Sequence, residues 1–136
     1  MNLVDQLHRD EGLRLQLYTD SVGKITIGVG RNLSDVGISL EESDVLLAND
    51  IQKATVALEA NFPWTMGLDD ARKGALLNMT FNMGIDGLKE FRDFLAKMQA
   101  GNFSAAAGAM LDSLWARQVG KRAQRLSVQI QTGVWQ

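Results

Sequence analysis

The stretch from Glu11 to Arg31 constrains the fold of this chain more than any other. Apolar residues at 13, 15 and 17, and again at 25, 27 and 29, alternate with polar or small ones, the period of two expected of strands with one buried face. Between these runs, Asp20–Lys24 is polar and contains Gly23. The spacing therefore predicts a β-hairpin with a loop of about five residues and Asp20 at its tip. Ahead of it, Asn2 caps a short helix with Leu3, Val4 and Leu7 on its apolar face and Asp5 near its positive end. Gly12, read as a left-handed cap, ends that helix just after Glu11. Two acids and one hydroxyl, Glu11, Asp20 and Thr26, are thus presented by neighbouring elements.

Helical spacing dominates the remainder. Gly30–Ile38 holds two glycines and several turn formers and reads as a connecting loop. Ser39 followed by Glu42 forms a capping box opening a helix along Leu47, Ile51, Ala54, Leu58 and Phe62. Pro63, the only proline, stops it after roughly 20 residues, about 30 Å. Such a helix can join a small lobe to a larger one. Asp69 or Asp70 caps the next helix, which runs to Gly84 and is apolar nearly all round, as expected at the centre of a bundle. Leu88 to Met98 marks one or two helical pieces, Phe103–Ser113 is alanine-rich and expected to pack closely, and Lys121–Thr132 is a basic helix stopped by Gly133. The reading is one α+β, mostly helical domain over residues 1–136. Residues 12–60 form its small lobe, and 1–11 with 61–136 its helical lobe.

Composition removes several function classes. With no cysteine and one histidine, His8, the chain has no thiolate metal site, no histidine-based zinc site and no Ser-His-Asp triad, so neither metal nor cofactor is expected. No apolar run approaches the ~20 residues that span a bilayer, and the first residues do not resemble a signal peptide, so a cytoplasmic start is expected. Residues 1–70 carry 5 Lys and Arg against 12 Asp and Glu, and residues 71–136 carry 9 against 4. The basic half suits an anionic polymer or simply a solvated surface. Arg117, Lys121, Arg122 and Arg125 lack the interleaved aromatics of a nucleic-acid platform, and no nucleic-acid partner is expected.

Two carboxyls on rigid elements suit glycosidic hydrolysis, in which one protonates the leaving oxygen while the other activates water or steadies positive charge. Glu-x8-Asp-x5-Thr, set within Glu-Gly-x-Arg-x-x-x-Tyr-x-Asp and Thr-Ile-Gly-x-Gly, resembles the phage-type lysozymes, or endolysins, of glycoside hydrolase family 24. Asn78–Gly84, Trp115-x-x-Gln118 with Gly120-Lys121-Arg122-Ala123-x-Arg125, and Thr132–Trp135 extend the likeness over nearly the whole chain. The chain departs from the family between Gly30 and Ser39, where members often carry a longer lobe, and at Arg31, where many have histidine or asparagine.

The resemblance implies a lysozyme-like fold and a muramidase that cuts the β-1,4 bond between N-acetylmuramic acid and N-acetylglucosamine, with inversion. It assigns Glu11 as acid, Asp20 as base, Thr26 as water holder and Arg122 as the group orienting Glu11. Burial against Leu7, Leu13 and Met83 would raise the pKa of Glu11. Asn82, Gln118, Asn32 and Phe81 are substrate-binding candidates, although Phe81 and Met83 read more as core, and Trp115 and Trp135 as helix anchors. The implied partners are peptidoglycan glycan strands and a separate holin-like membrane-permeabilising protein. A monomeric enzyme would wait in the host cytoplasm and then act in the periplasm. A lytic transglycosylase and a non-catalytic wall-binding module of a phage particle are the competing readings.

Overall fold

The computed structural model describes residues 1–136. Its elements are α1 (Leu3–Glu11), β1 (Arg14–Thr19), β2 (Ile25–Gly28), β3 (Arg31–Asn32), α2 (Leu40–Asn61), a 3-10 turn (Pro63–Gly67), α3 (Asp70–Lys89), α4 (Arg92–Gln99), α5 (Phe103–Leu111), α6 (Leu114–Val119) and α7 (Lys121–Thr132). The architecture is the expected α+β, mainly helical one, with one small antiparallel sheet ordered β1-β2-β3. The chain divides into two compact units, Met1–Leu46 and Leu47–Gln136, and α2 begins in the first and runs on into the second.

In the first unit, α1 opens with the expected cap. The Asp5 amide donates to Asn2 Oδ1 at 3.1 Å and the Asn2 amide donates to Asp5 Oδ2 at 3.0 Å, satisfying two helix-end donors reciprocally. Gly12 has positive φ, 76°, but its ψ of 172° is extended, because the chain enters β1 at once; it is not the left-handed cap expected. The hairpin forms with its loop where the spacing placed it, and a third strand of two residues, β3, continues the sheet from within the stretch read as loop. Arg14 faces Gly28 and Tyr18 faces Thr26, so β1 uses four residues where β2 uses two and is bulged between them. Leu15 and Leu17 fall in that irregular stretch and are exposed. The buried residue of this unit is instead Thr26, on the strand paired on both sides. The alternation thus marks the strands but not the buried face.

The start of α2 is stitched to the sheet. The Glu42 amide donates to Ser39 Oγ and the Ser39 amide to Glu42 Oε1, the expected capping box. Arg31 adds a forked ion pair to the same carboxylate, Nη1 at 2.8 Å from Oε1 and Nη2 at 2.7 Å from Oε2, and Nη1 also donates to the Gly37 carbonyl. The hydrogen bonds from Arg31 first, and from the Ser39 amide next, hold the Glu42 carboxyl at about 2, and Glu42 in turn raises the guanidinium above its ordinary value.

The second unit holds the hydrophobic core, built from Leu58 of α2, Leu76 and Met79 of α3, Phe94 and Met98 of α4, Met110 of α5 and Ile130 of α7. Of the expected α2 stripe only Leu58 is fully buried; Leu47 and Ile51 are exposed. Asp69 caps α3 by accepting the Arg72 amide at 3.1 Å, and Gly84 interrupts the helix with φ 78° and ψ 163°. Ala106 and Ala107 are buried and let α5 pack on α7. Arg72 joins three helices: Nε and Nη2 donate to the Ile130 and Gln131 carbonyls of α7 at 2.6 and 3.0 Å, Nη1 pairs with Asp69, and the guanidinium lies 3.9 Å from the Phe103 ring centre. A Lys73–Glu59 ion pair ties α3 to α2. No helix is long and apolar enough to cross a membrane.

Candidate active site

Asp20 and Thr26 are fixed by one peptide neighbour, Lys24. The Asp20 Oδ1 accepts the amides of Val22 at 3.0 Å and Lys24 at 2.8 Å, so this carboxylate shapes the hairpin loop as an Asx turn. The Lys24 carbonyl in turn accepts the Asp20 amide at 2.9 Å and the Thr26 hydroxyl at 3.1 Å. Two chemical consequences follow. Asp20 Oδ2 has no protein donor and remains an open acceptor. Thr26 has already committed its single O–H, so toward any further partner its oxygen can only accept. Asp20 is half-buried and Thr26 is 3% exposed.

Glu11 is the last residue of α1, and its carboxylate makes no protein hydrogen bond or ion pair. It is exposed, as are Leu7 and Leu13, so the expected apolar burial against those two residues is not present. The sheet register places Tyr18, Thr26 and Asn32 directly opposite one another, and hence on one face in a single cross-strand row. Asn32 is engaged in a turn of its own, accepting the Asp35 amide at Oδ1 and donating Nδ2 to Asp35 Oδ2. Arg14 lies over the Tyr18 ring at 4.5 Å.

The other candidates belong to the second unit. Arg122, on α7, donates Nε to Asn78 Oδ1 at 2.9 Å and Nη2 to the Asn78 carbonyl at 3.3 Å, which leaves Nη1 without a protein partner. The resemblance assigns this arginine to Glu11; within its own unit its partner is Asn78. Asn78 was absent from the candidates, although Asn78, Phe81 and Asn82 stand at i, i+3 and i+4 along α3 and so share a face. Phe81 is 50% exposed, contrary to the core reading, and with Ile51, Asn78, Arg122 and Trp135 it lines an apolar groove of about 370 Å³. Asn82 Oδ1 accepts the Trp115 indole N–H at 2.8 Å, and Trp115 is buried edge-on against Phe91, the anchoring role expected of it. Gln118 is exposed beside a different, mixed polar groove of about 560 Å³ that includes Glu90, Asp112, Ser113 and Trp115. No group of three or more His, Cys, Asp or Glu side chains gathers at a metal-binding spacing.

A sequence model of the Phage lysozyme family matches residues 8–129. The chain belongs to the phage lysozyme family. Among curated proteins it is 31% identical to the pre-baseplate central spike protein Gp5 of Enterobacteria phage T4, a match covering 98% of this chain but 28% of that protein. It is 29% identical to a probable T4-type lysozyme 1 of Dictyostelium discoideum, over 97% of this chain and 95% of that one. With the endolysin of Salmonella phage P22 it shares 33% identity over 88% of this chain and 84% of the other. The chain therefore spans under a third of the spike protein, nearly the full length of the Dictyostelium protein and about five-sixths of the P22 endolysin. The Dictyostelium alignment runs to 161 positions against 136 residues here, so at least 25 positions of this phage-lysozyme alignment have no counterpart in this chain.

Proposed function

We propose that this phage lysozyme family member is an endolysin-type muramidase that hydrolyses the β-1,4 bond between N-acetylmuramic acid and N-acetylglucosamine in bacterial peptidoglycan. The observation that carries the reading is the complementary state of Asp20 and Thr26 around Lys24. An attacking water needs its lone pair directed at carbon, so both of its hydrogens must be accepted by the protein. Asp20 Oδ2 is an open acceptor, and Thr26, its own proton given to the Lys24 carbonyl, is another.

In the proposed reaction Glu11 gives its proton to the glycosidic oxygen as the C1–O bond breaks. The water forms a new C1–O bond from the opposite face and passes its proton to Asp20, so the anomeric configuration inverts. An inverting pair leaves roughly 6.5 to 9.5 Å between carboxyls for that water, whereas a retaining pair sits about 5 Å apart. Glu11 is exposed in the free protein, so bound glycan is what would exclude water from it. The Arg122 Nη1 edge and the exposed Phe81 ring supply a polar donor and an apolar face for sugar, with Gln118, Asn82 and Asn32 as further polar candidates. The reaction needs no cofactor. Host lysis after release by a holin-like membrane-permeabilising protein is the biological role that fits.

Loss of turbidity of outer-membrane-permeabilised Gram-negative cells tests the reading. Native protein should clear the suspension and a folded Glu11→Gln variant should not; equal clearance by both would reject Glu11 as the acid. A second reading rests on the spike protein match, which covers nearly all of this chain. In it the same domain serves a phage particle as a wall-binding module without turnover. Sedimentation with purified wall but no release of soluble fragments by the native protein would favour it.

A further inference from the structure

We infer that Gly30 is a positioning residue for Glu11, through the bare face of its backbone. Gly30 lies in the turn between β2 and β3, at φ 71°. A Cβ built there would sit 3.1 Å from Glu11 Oε2, 3.5 Å from its carboxyl carbon and 3.7 Å from its Cβ. The turn therefore lies along the whole Glu11 side chain, and a carboxylate with no protein hydrogen bond is limited on this side by packing alone. Any other residue at position 30 puts a methyl or more against Oε2, so the Glu11 carboxylate must give way by a few tenths of an ångström and loses water from one face. Glycine thus serves two needs at once, the backbone conformation and a close approach to the acid.

Gly28, at the end of β2, separates these needs. Its φ is 69°, nearly that of Gly30, yet nothing lies within 4 Å of a Cβ built on it. Gly28→Ala should suffer the same backbone strain without touching Glu11. The inference rests on Glu11 being the acid, and the experiment keeps the two apart by measuring Glu11 directly. In protein carrying ¹³C-labelled glutamate, the Glu11 carboxyl is titrated in native, Gly28→Ala and Gly30→Ala chains, alongside thermal unfolding and turnover of soluble peptidoglycan.

The expected result is similar loss of thermal stability in the two variants. The Glu11 titration should move to higher pH in Gly30→Ala alone, and kcat should fall at least ~10-fold further in that variant than in Gly28→Ala, with KM little changed. Indistinguishable titrations and rates in the two variants would overturn the positioning role. If the titration moves in Gly30→Ala but Glu11→Gln remains fully active, the contact stands and the assignment of Glu11 as acid fails.

Discussion

Asp20 carries two duties, and a pair of substitutions separates them. Its Oδ1 accepts two loop amides, one exposed at Val22 and one part-buried at Lys24, while Oδ2 is the proposed base. In Asp20→Ala both amides lose a charged acceptor. Water can replace it at Val22 more easily than at Lys24, so the expected loss is ~1–2 kcal/mol, or about 4–8 °C in Tm for a chain of this size. Asp20→Asn keeps an oxygen in the Oδ1 position and should lose less than ~1 kcal/mol. Both variants lack the base, and removal of a general base typically costs ~10²–10⁴ in rate. Thermal unfolding followed by circular dichroism, together with release of dye from labelled peptidoglycan, reads the two effects separately. The expected pattern is a stable but inactive Asp20→Asn beside a less stable and inactive Asp20→Ala. If Asp20→Asn keeps more than about a tenth of native activity, Asp20 is a turn residue and not the base.

Acid should loosen the Arg31–Glu42 stitch. The Glu42 carboxyl titrates at about 2 in the folded chain, below its ordinary unfolded value of about 4.3. Its stabilisation is complete above that unfolded value and disappears as pH falls toward 2. Urea unfolding at pH 6 and pH 3 should show a smaller pH-dependent loss in Arg31→Met than in the native chain; equal losses would contradict the linkage. Arg72→Ala removes two charged hydrogen bonds to α7 carbonyls and a cation–π contact from a side chain that is 19% exposed. The expected cost is ~2–4 kcal/mol by chemical denaturation, with Arg72→Lys recovering no more than about half. A Cβ on Gly74 would fall 2.1 Å from Trp135 Cη2. Trp135 is 63% exposed and not the buried anchor expected of it, so Gly74→Ala should displace its ring across the surface and shift its indole N–H resonance by NMR; an unchanged resonance would mean that the ring is not seated there.

Local chemistry was the legible part of the sequence. The capping boxes at Asn2/Asp5 and Ser39/Glu42, the Asp69 cap and the Gly133 stop depend on residues a few positions apart, and each appears as the spacing predicts, whereas Gly84 interrupts α3 without ending it and the helix resumes to Lys89. Facing was less legible. Leu15 and Leu17 alternate like buried residues, but they fall in the stretch where β1 leaves its ladder with β2, and a hydroxyl residue on the middle strand is the buried one. The two-residue β3 is too short to carry a period. The helical spacing of Leu47 and Ile51 identifies α2 correctly but does not reveal which turns are covered.

At the candidate site, residue types were legible while their partners were not. Glu11, Asp20 and Thr26 stand out through their pattern, but the engagement of Asp20 Oδ1 and of the Thr26 proton depends on the path of the loop around Lys24. The Arg31–Glu42 and Arg72–Ile130 contacts join residues 11 and 58 positions apart, beyond the reach of any helical or strand period. An amide at Asn82 suits a sugar, but composition does not show that its Oδ1 also accepts the Trp115 indole N–H.

The central claim is that water attacks the sugar while Glu11 protonates the leaving oxygen, and cleavage of purified glycan strands in ¹⁸O-labelled water tests it most directly. Mass spectrometry of products taken early should show one heavy oxygen at each new reducing end for the native protein, and no new ends for a folded Glu11→Gln variant. Unlabelled 1,6-anhydro ends from the native protein, or labelled ends from Glu11→Gln, would contradict the account.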